Sequence, residues 1–101
     1  MGNLLTRQQM SALPDLYTTE DIQDPICHFK FFTPDSNWSW FLIELSHSNS
    51  ISAFGWVKGF ENELGYFNLD ELESVKGALG LSVELDTSFT PQLLSEVKRG
   101  N

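Results

Sequence analysis

Apolar positions along the chain follow two different periods. From Ile26 to Phe32 the run "ICHFKFF" alternates, so that Cys27, Phe29 and Phe31 share one face of an extended segment while Ile26, His28, Lys30 and Phe32 share the other. "TPDSN" then supplies turn chemistry: Pro34 suits the second position of a tight turn, and Asp35 and Asn37 bond their own backbone. A second strand follows as "WSWFLIEL", with Trp38, Trp40, Leu42 and Glu44 on one side and Ser39, Phe41, Ile43 and Leu45 on the other. Both sides are largely apolar, which predicts a central strand. The polar loop "SHSNS" leads into a third strand, "ISAFGWVKGF", and "ENELGYF" reads as a short fourth.

Helical spacing appears in three places. Thr6 is a suitable N-cap for "RQQMSAL", which Pro14 stops, and Met10 and Leu13 are its inward side. Asn68 caps "LDELESVKG", where Leu69, Leu72 and Val75 recur on one face and Gly77 is the expected end. "LGLSVELD" is a further short extended piece. "TPQLLSEVKRG" predicts a closing helix with Thr90 as cap and Pro91 in the first turn. Between the first helix and the first strand, "PDLYTTEDIQDP" reads as an ordered loop pinned by Leu16, Tyr17 and Ile22.

These elements predict an α+β fold, a small antiparallel sheet of about four to five strands with about three short helices mainly on one face. Residues 1–101 are expected to form a single domain. The helices are expected over the Cys27, Phe29, Phe31, Phe41, Ile43, Leu45, Ala53 and Val57 face. The opposite face then presents Trp38, Trp40, Phe54 and Trp56, with Tyr66, as a half-exposed aromatic surface beside His28, Lys30, Glu44 and Lys58.

Charge changes this picture more than composition does. Fourteen Asp and Glu against six Lys and Arg leave a net charge of −8, so no basic run is present to bind nucleic acid phosphates directly. Acidic residues gather in two stretches, Glu20, Asp21 and Asp24, and Glu61, Glu63, Asp70, Glu71 and Glu73. Such a surface suits a protein partner with a basic, nucleic-acid-binding face.

Catalytic chemistry is poorly represented. Cys27 is the single cysteine, which leaves no internal disulfide, and its adjacency to His28 points the two side chains to opposite faces. The carboxylates around Asp70 and Glu71 suit the first turn of a helix. There is no Gly-rich phosphate loop, nucleophile elbow or zinc motif, and no cofactor is expected. The start, "MGNLLTRQQM", lacks a signal-peptide pattern, and no apolar run reaches the ~18 residues of a membrane span, so a cytoplasmic location is expected. "MGNLLT" matches the short, permissive myristoylation pattern at Gly2.

Taken together, "HFKFFTPDSNWSW", "GFENELGYFNLDELESVKGALGL" and "FTPQLLSEV" resemble the bacterial family labelled domain of unknown function 2958 over nearly the whole chain. The resemblance implies a mobile-element setting, on plasmids and integrative elements, and brings no catalytic residues. The chain departs from the implied pattern at Leu85 in "LSVELD", where a basic residue is expected. The expected function is therefore a non-enzymatic acidic binding protein that blocks a host defence or nucleic-acid-handling protein by mimicking nucleic acid. Its expected binding residues are Trp38, Trp40, Phe54, Trp56, Glu61, Glu63, Asp70, Glu71 and Glu73. The alternative is a small ligand-binding or hydrolytic domain using His28, Asp35 and Asn37 beside the aromatic face.

Overall fold

The structure is a computed structural model that describes residues 4–100, so the Gly2 pattern lies outside the described residues. Its elements are α1 (Arg7–Ser11), β1 (Ile26–Cys27), β2 (Phe29–Phe32), β3 (Ser39–Leu45), β4 (Ser52–Lys58), β5 (Asn62–Asn68), α2 (Leu69–Ser74), β6 (Glu84–Leu85), β7 (Gln92–Leu93) and α3 (Leu94–Gly100). Five strands form an antiparallel sheet in the order β5-β4-β3-β2-β6, and β1 pairs with β7 in a separate two-stranded sheet. This is the α+β architecture expected from the sequence.

Local chemistry accounts for most of these boundaries. Thr6 and Gln9 form a reciprocal capping box at the start of α1. The Asn68 side chain accepts from the Asp70 and Glu71 amides at 2.8 and 3.1 Å, which starts α2. β3 is buried on both faces from Trp40 to Leu45, as a central strand must be. Gly55 lets β4 approach it closely, because a Cβ there would overlap the Phe41 carbonyl.

Register decides what each face carries, and here the sequence expectation is corrected. Phe31 pairs with Trp40, Trp40 with Val57, and Ala53 with Phe67, so these side chains share one face with Leu42 and Leu45. Leu5 and Leu13 beside α1, Leu69 and Leu72 of α2, and Val83 cover that face. Phe41 instead pairs with Trp56, and this second face, with Cys27 and Ile43, is covered by Leu94 and Val97 of α3. Trp38 and Trp40 therefore lie with the core beneath α1 and α2, while Phe54 and Trp56 pack on the other side of the sheet, against the core that α3 covers. Two features cause the division. An even-length connection, residues 33–38, sets odd positions of β2 against even positions of β3, and a register shift between Leu42 and Glu44 resets the parity further along.

Three further expectations are corrected. The last helix does not begin at Pro91: Gln92 and Leu93 pair with Cys27 and Ile26, and α3 starts at Leu94. Gly77 does not end α2, which stops at Ser74 with Val75 extended as its C-cap. Cys27 is buried as expected, yet it packs with Phe41, Ile43, Leu94 and Val97 rather than with Phe31. The alternation breaks at His28, where pairing with β7 gives way to pairing with β3.

Candidate functional site

Residues 61–73 hold five carboxylates and no Lys or Arg, and the fold lays this segment along one margin of the molecule. β5 is an outer strand of the sheet, and α2 follows it without a break. Glu61, Glu63, Asp70 and Glu71 are all exposed. The seven residues of β5 separate the first pair from the second by roughly 20 Å, so the carboxylates form a strip rather than a cluster. Among the described residues the one ion pair joins Lys30 to Asp86 at 3.7 Å, so none of these four carboxylates is neutralised by a contacting cation. Lys98 lies over the Trp56 ring at 4.7 Å and Lys76 bonds Ser82, whereas Lys58 pairs across from Asn62 between Glu61 and Glu63, and Arg7 shares a groove with Asp70, both without an ion pair among the described residues.

The other acidic stretch is divided in use. Glu20 and Asp21 are exposed, whereas Asp24 reaches across to α3, where its carboxylate accepts from the Ser95 amide at 2.9 Å and hydroxyl at 2.7 Å. Those two bonds hold the Asp24 carboxyl below the usual carboxylate range. Asp24 is thus a remote N-terminal cap for α3, fastening it to the segment before β1.

The tryptophans are not a common platform. Trp40 is only 6 % exposed, and Trp38 stacks on it at 5.8 Å. Above Trp38 lies Phe60, 95 % exposed in the β4–β5 turn and edge-on to the indole at 5.4 Å. Gly59 makes room for this, because a Cβ there would overlap the Trp38 ring. On the opposite face Phe54 meets Tyr66 at 5.0 Å, and Tyr66 meets Tyr17 at 6.1 Å. Tyr66 has its phenol pKa raised, first by desolvation and then by the neighbouring Tyr17, Glu44 and Glu20.

Glu44, read from the sequence as part of a half-exposed face, is 2 % exposed. Its carboxylate accepts from the Tyr17 amide at 2.8 Å, from the Thr19 amide at 2.9 Å and from the Thr19 hydroxyl. These bonds hold the loop between α1 and β1, where Tyr17 and Ile22 are exposed rather than pinning it. Cys27 has its thiol pKa pushed up to about 12, chiefly by burial, and burial likewise lowers the His28 pKa. The Cys27 thiol therefore stays protonated at neutral pH.

His28, Asp35 and Asn37 are not gathered into one site. His28 precedes β2, while Asp35 and Asn37 follow it, roughly 13 Å further along the strand direction. Asp35 turns into the loop at Leu79 and Leu81, and Asn37 lines a shallow recess of about 390 Å³ with Lys30, Trp38 and Asp86. A wider groove of about 880 Å³ lies between α1 and the β3–β4 hairpin, with Arg7, His47 and Asp70 among its walls. His47 Nε2 is 2.8 Å from the Leu13 carbonyl there. Among the described residues no three His, Cys, Asp or Glu side chains are placed to hold a metal ion, and no helix is long and apolar enough to cross a membrane.

The model of the family described as "Protein of unknown function (DUF2958)" matches residues 4–97. The chain belongs to this family. Comparison with curated proteins and with solved structures finds no match. For this DUF2958 protein, the run of carboxylates and the shared side of Trp38 and Trp40 were legible in the sequence, whereas the separation of Trp56 from them, the burial of Glu44 and the exposure of Phe60 and Tyr17 were not. Phe60 had a signal: a large apolar residue between Gly59 and Glu61 in a tight hairpin turn has little choice but to face solvent.

Proposed function

We propose that this DUF2958 protein is a non-enzymatic acidic binding protein of a bacterial mobile element, working in the cytoplasm. It occupies a basic surface of a host defence or nucleic-acid-handling protein by presenting carboxylates in place of phosphates. The observation that carries this reading is the strip made by Glu61, Glu63, Asp70 and Glu71, exposed and without a contacting cation on a chain of net charge −8. The mobile-element setting rests on the resemblance of "HFKFFTPDSNWSW" and its companion stretches to DUF2958 members. A hydrolytic or ligand-binding role for His28, Asp35 and Asn37 has less support, since the three lack a shared cleft.

The test is capture of host proteins on the immobilised chain at low and at high salt, with and without duplex DNA as competitor. Raising salt from 0.1 to 1 M shrinks the screening length from about 10 to about 3 Å, so a partner held by the strip is released. DNA displaces it, and the triple variant Glu61→Lys, Glu63→Lys, Glu71→Lys fails to retain it. A partner retained equally at both salt concentrations, with its nucleic acid still attached, overturns the proposal. Loss of binding on Trp38→Ala with the acidic triple variant still active moves the site to the aromatic residues.

A further inference from the structure

The two margins of the five-stranded sheet are built differently. On one side the sheet ends in β6, two residues long, which offers almost no backbone for pairing. On the other it ends in β5, seven residues paired with β4 from Asn62 to Asn68 without a register shift. Proteins usually blunt such an edge with proline, a bulge, a short strand or charged side chains, and β5 has of these only the single charge of Glu63.

The direction of its unpaired groups can be worked out. Leu69 donates its amide to the Ile51 carbonyl, and the Glu61 carbonyl accepts from Gly59. Antiparallel alternation then turns the backbone of Glu63, Gly65 and Phe67 toward β4 and that of Asn62, Leu64 and Tyr66 outward. Among the described residues, no hydrogen bond reaches the outward amides and carbonyls of Leu64 and Tyr66. Their side chains are 43 % and 61 % exposed on the Trp56 face, and a Cβ at Gly65 would meet nothing within 4 Å on the other.

We propose that the outer edge of β5 accepts an extended basic segment of a protein partner as a sixth antiparallel or parallel strand, with alternating basic and apolar side chains. The apolar positions lie beside Leu64 and Tyr66, and the basic ones beside Glu63, with Glu61 and Glu20 at the ends. Charge selects this occupant over a second copy of the chain, because two edges carrying Glu61 and Glu63 on molecules of net charge −8 repel one another. The inference rests on the acidic-binding reading above and names where and how the partner is held.

The probe is an acetylated and amidated eight-residue peptide of alternating Lys and Val, added to the whole protein and followed by amide hydrogen exchange. Saturating peptide is expected to slow exchange of the Leu64 and Tyr66 amides by about tenfold or more. Gly65 and Phe67, already bonded to β4, should change little. The same peptide N-methylated at alternate residues keeps its charge but loses edge-facing donors, and it is expected to give no protection. Leu64→Pro removes an outward amide without breaking the ladder to β4, and should weaken the peptide about tenfold.

Equal protection by the N-methylated peptide, or peptide binding without change at Leu64 and Tyr66, overturns the proposal. If Leu64→Pro does not fold, the comparison of the two peptides on the unaltered protein decides alone. Protection of Leu64 and Tyr66 that rises with protein concentration and no peptide, with a dimer mass by light scattering, assigns the edge to a second copy and also overturns it. A captured host partner that tolerates Leu64→Pro but is lost on charge reversal leaves the acidic reading standing and removes the edge. A partner indifferent to salt and charge reversal removes the acidic reading itself.

Discussion

The carboxylate of Asp35, in the turn between β2 and β3, fills the space that a side chain at Gly77 would need. Its Oδ2 accepts from the Leu79 amide at 2.6 Å and from the Leu81 amide at 3.3 Å, while its Oδ1 is buried against Gly77 without a hydrogen-bond partner. One acidic side chain thus organises the loop after α2, which closes on itself through the Gly77–Leu81 backbone bond and the Lys76–Ser82 bridge.

Gly77→Ala is therefore expected to expel Asp35 and to destabilise the fold by about 1–3 kcal/mol, the usual range for overpacking. Because both changes disrupt one contact, Asp35→Ala should cost much less in the Gly77→Ala background than alone. Chemical denaturation of the four proteins in this cycle measures the coupling. Additive losses would show that Gly77 and Asp35 act independently.

Glu44 provides a second case of a carboxylate holding a distant segment. Glu44→Ala leaves the Tyr17 and Thr19 amides without their acceptor, and a loss of about 3 kcal/mol is expected from removing hydrogen bonds to a buried charged group. Glu44→Gln keeps one accepting oxygen and should fall between. Hydrogen exchange at Tyr17 and Thr19 should rise in step with the loss of stability. Unchanged exchange there would mean that other contacts hold the loop.

Acid should release α3 through Asp24. The folded pKa of Asp24 lies below its unfolded value, so the contribution is fully present above the ordinary carboxylate pKa, about 3.9, and is lost as pH falls through the folded value. Asp15, lowered by the His47 and Leu16 amides, and Asp86, lowered chiefly by the Ser88 hydroxyl, act in the same direction. His28 adds an earlier loss that begins as pH drops below about 6.5, since burial opposes its charging. Trp56 fluorescence reports on α3 because Lys98 lies over its ring. Asp24→Asn should shift the transition read from Trp56 less on acidification than the unaltered chain does, and an identical acid profile would remove Asp24 from this role.

Cys27 should resist thiol reagents in the native protein. With its pKa near 12 and its side chain buried, little thiolate exists at neutral pH and access requires opening of the β1–α3 contact. Labelling is expected to be slow in the folded state and to accelerate in denaturant. Equal rates in both states would place the thiol at the surface.

Much of this fold was legible in the chain because the responsible interactions are local. Thr6 and Asn68 cap helices with their own side chains, "TPDSN" and "SHSNS" turn the chain, and "WSWFLIEL" is apolar on both sides, as only an inner strand can be. The acidic strip was equally visible, because residues 61–73 lack any basic side chain wherever they are placed. Locality also marks where such reading stops. Pro91 in "TPQLL" follows a good helix-start rule, yet pairing of Gln92 and Leu93 with a strand some 65 residues earlier overrides it.

What the sequence by itself determined is the larger strands and the three helices, the inner position of β3 and the excess of negative charge, since each follows from side-chain chemistry within a few residues. Tertiary structure alone decided which faces coincide. Alternation says that Trp38 and Trp40 point the same way, but whether Trp56 joins them depends on connection length and on the shift between Leu42 and Glu44. One residue more or less reverses every pairing beyond it. The same dependence on distant partners explains Glu44, Asp24 and Asp35, three acidic residues each committed by the fold to backbone amides of another segment. Glu61, Glu63, Asp70 and Glu71, by contrast, stay exposed and make no ion pair among the described residues.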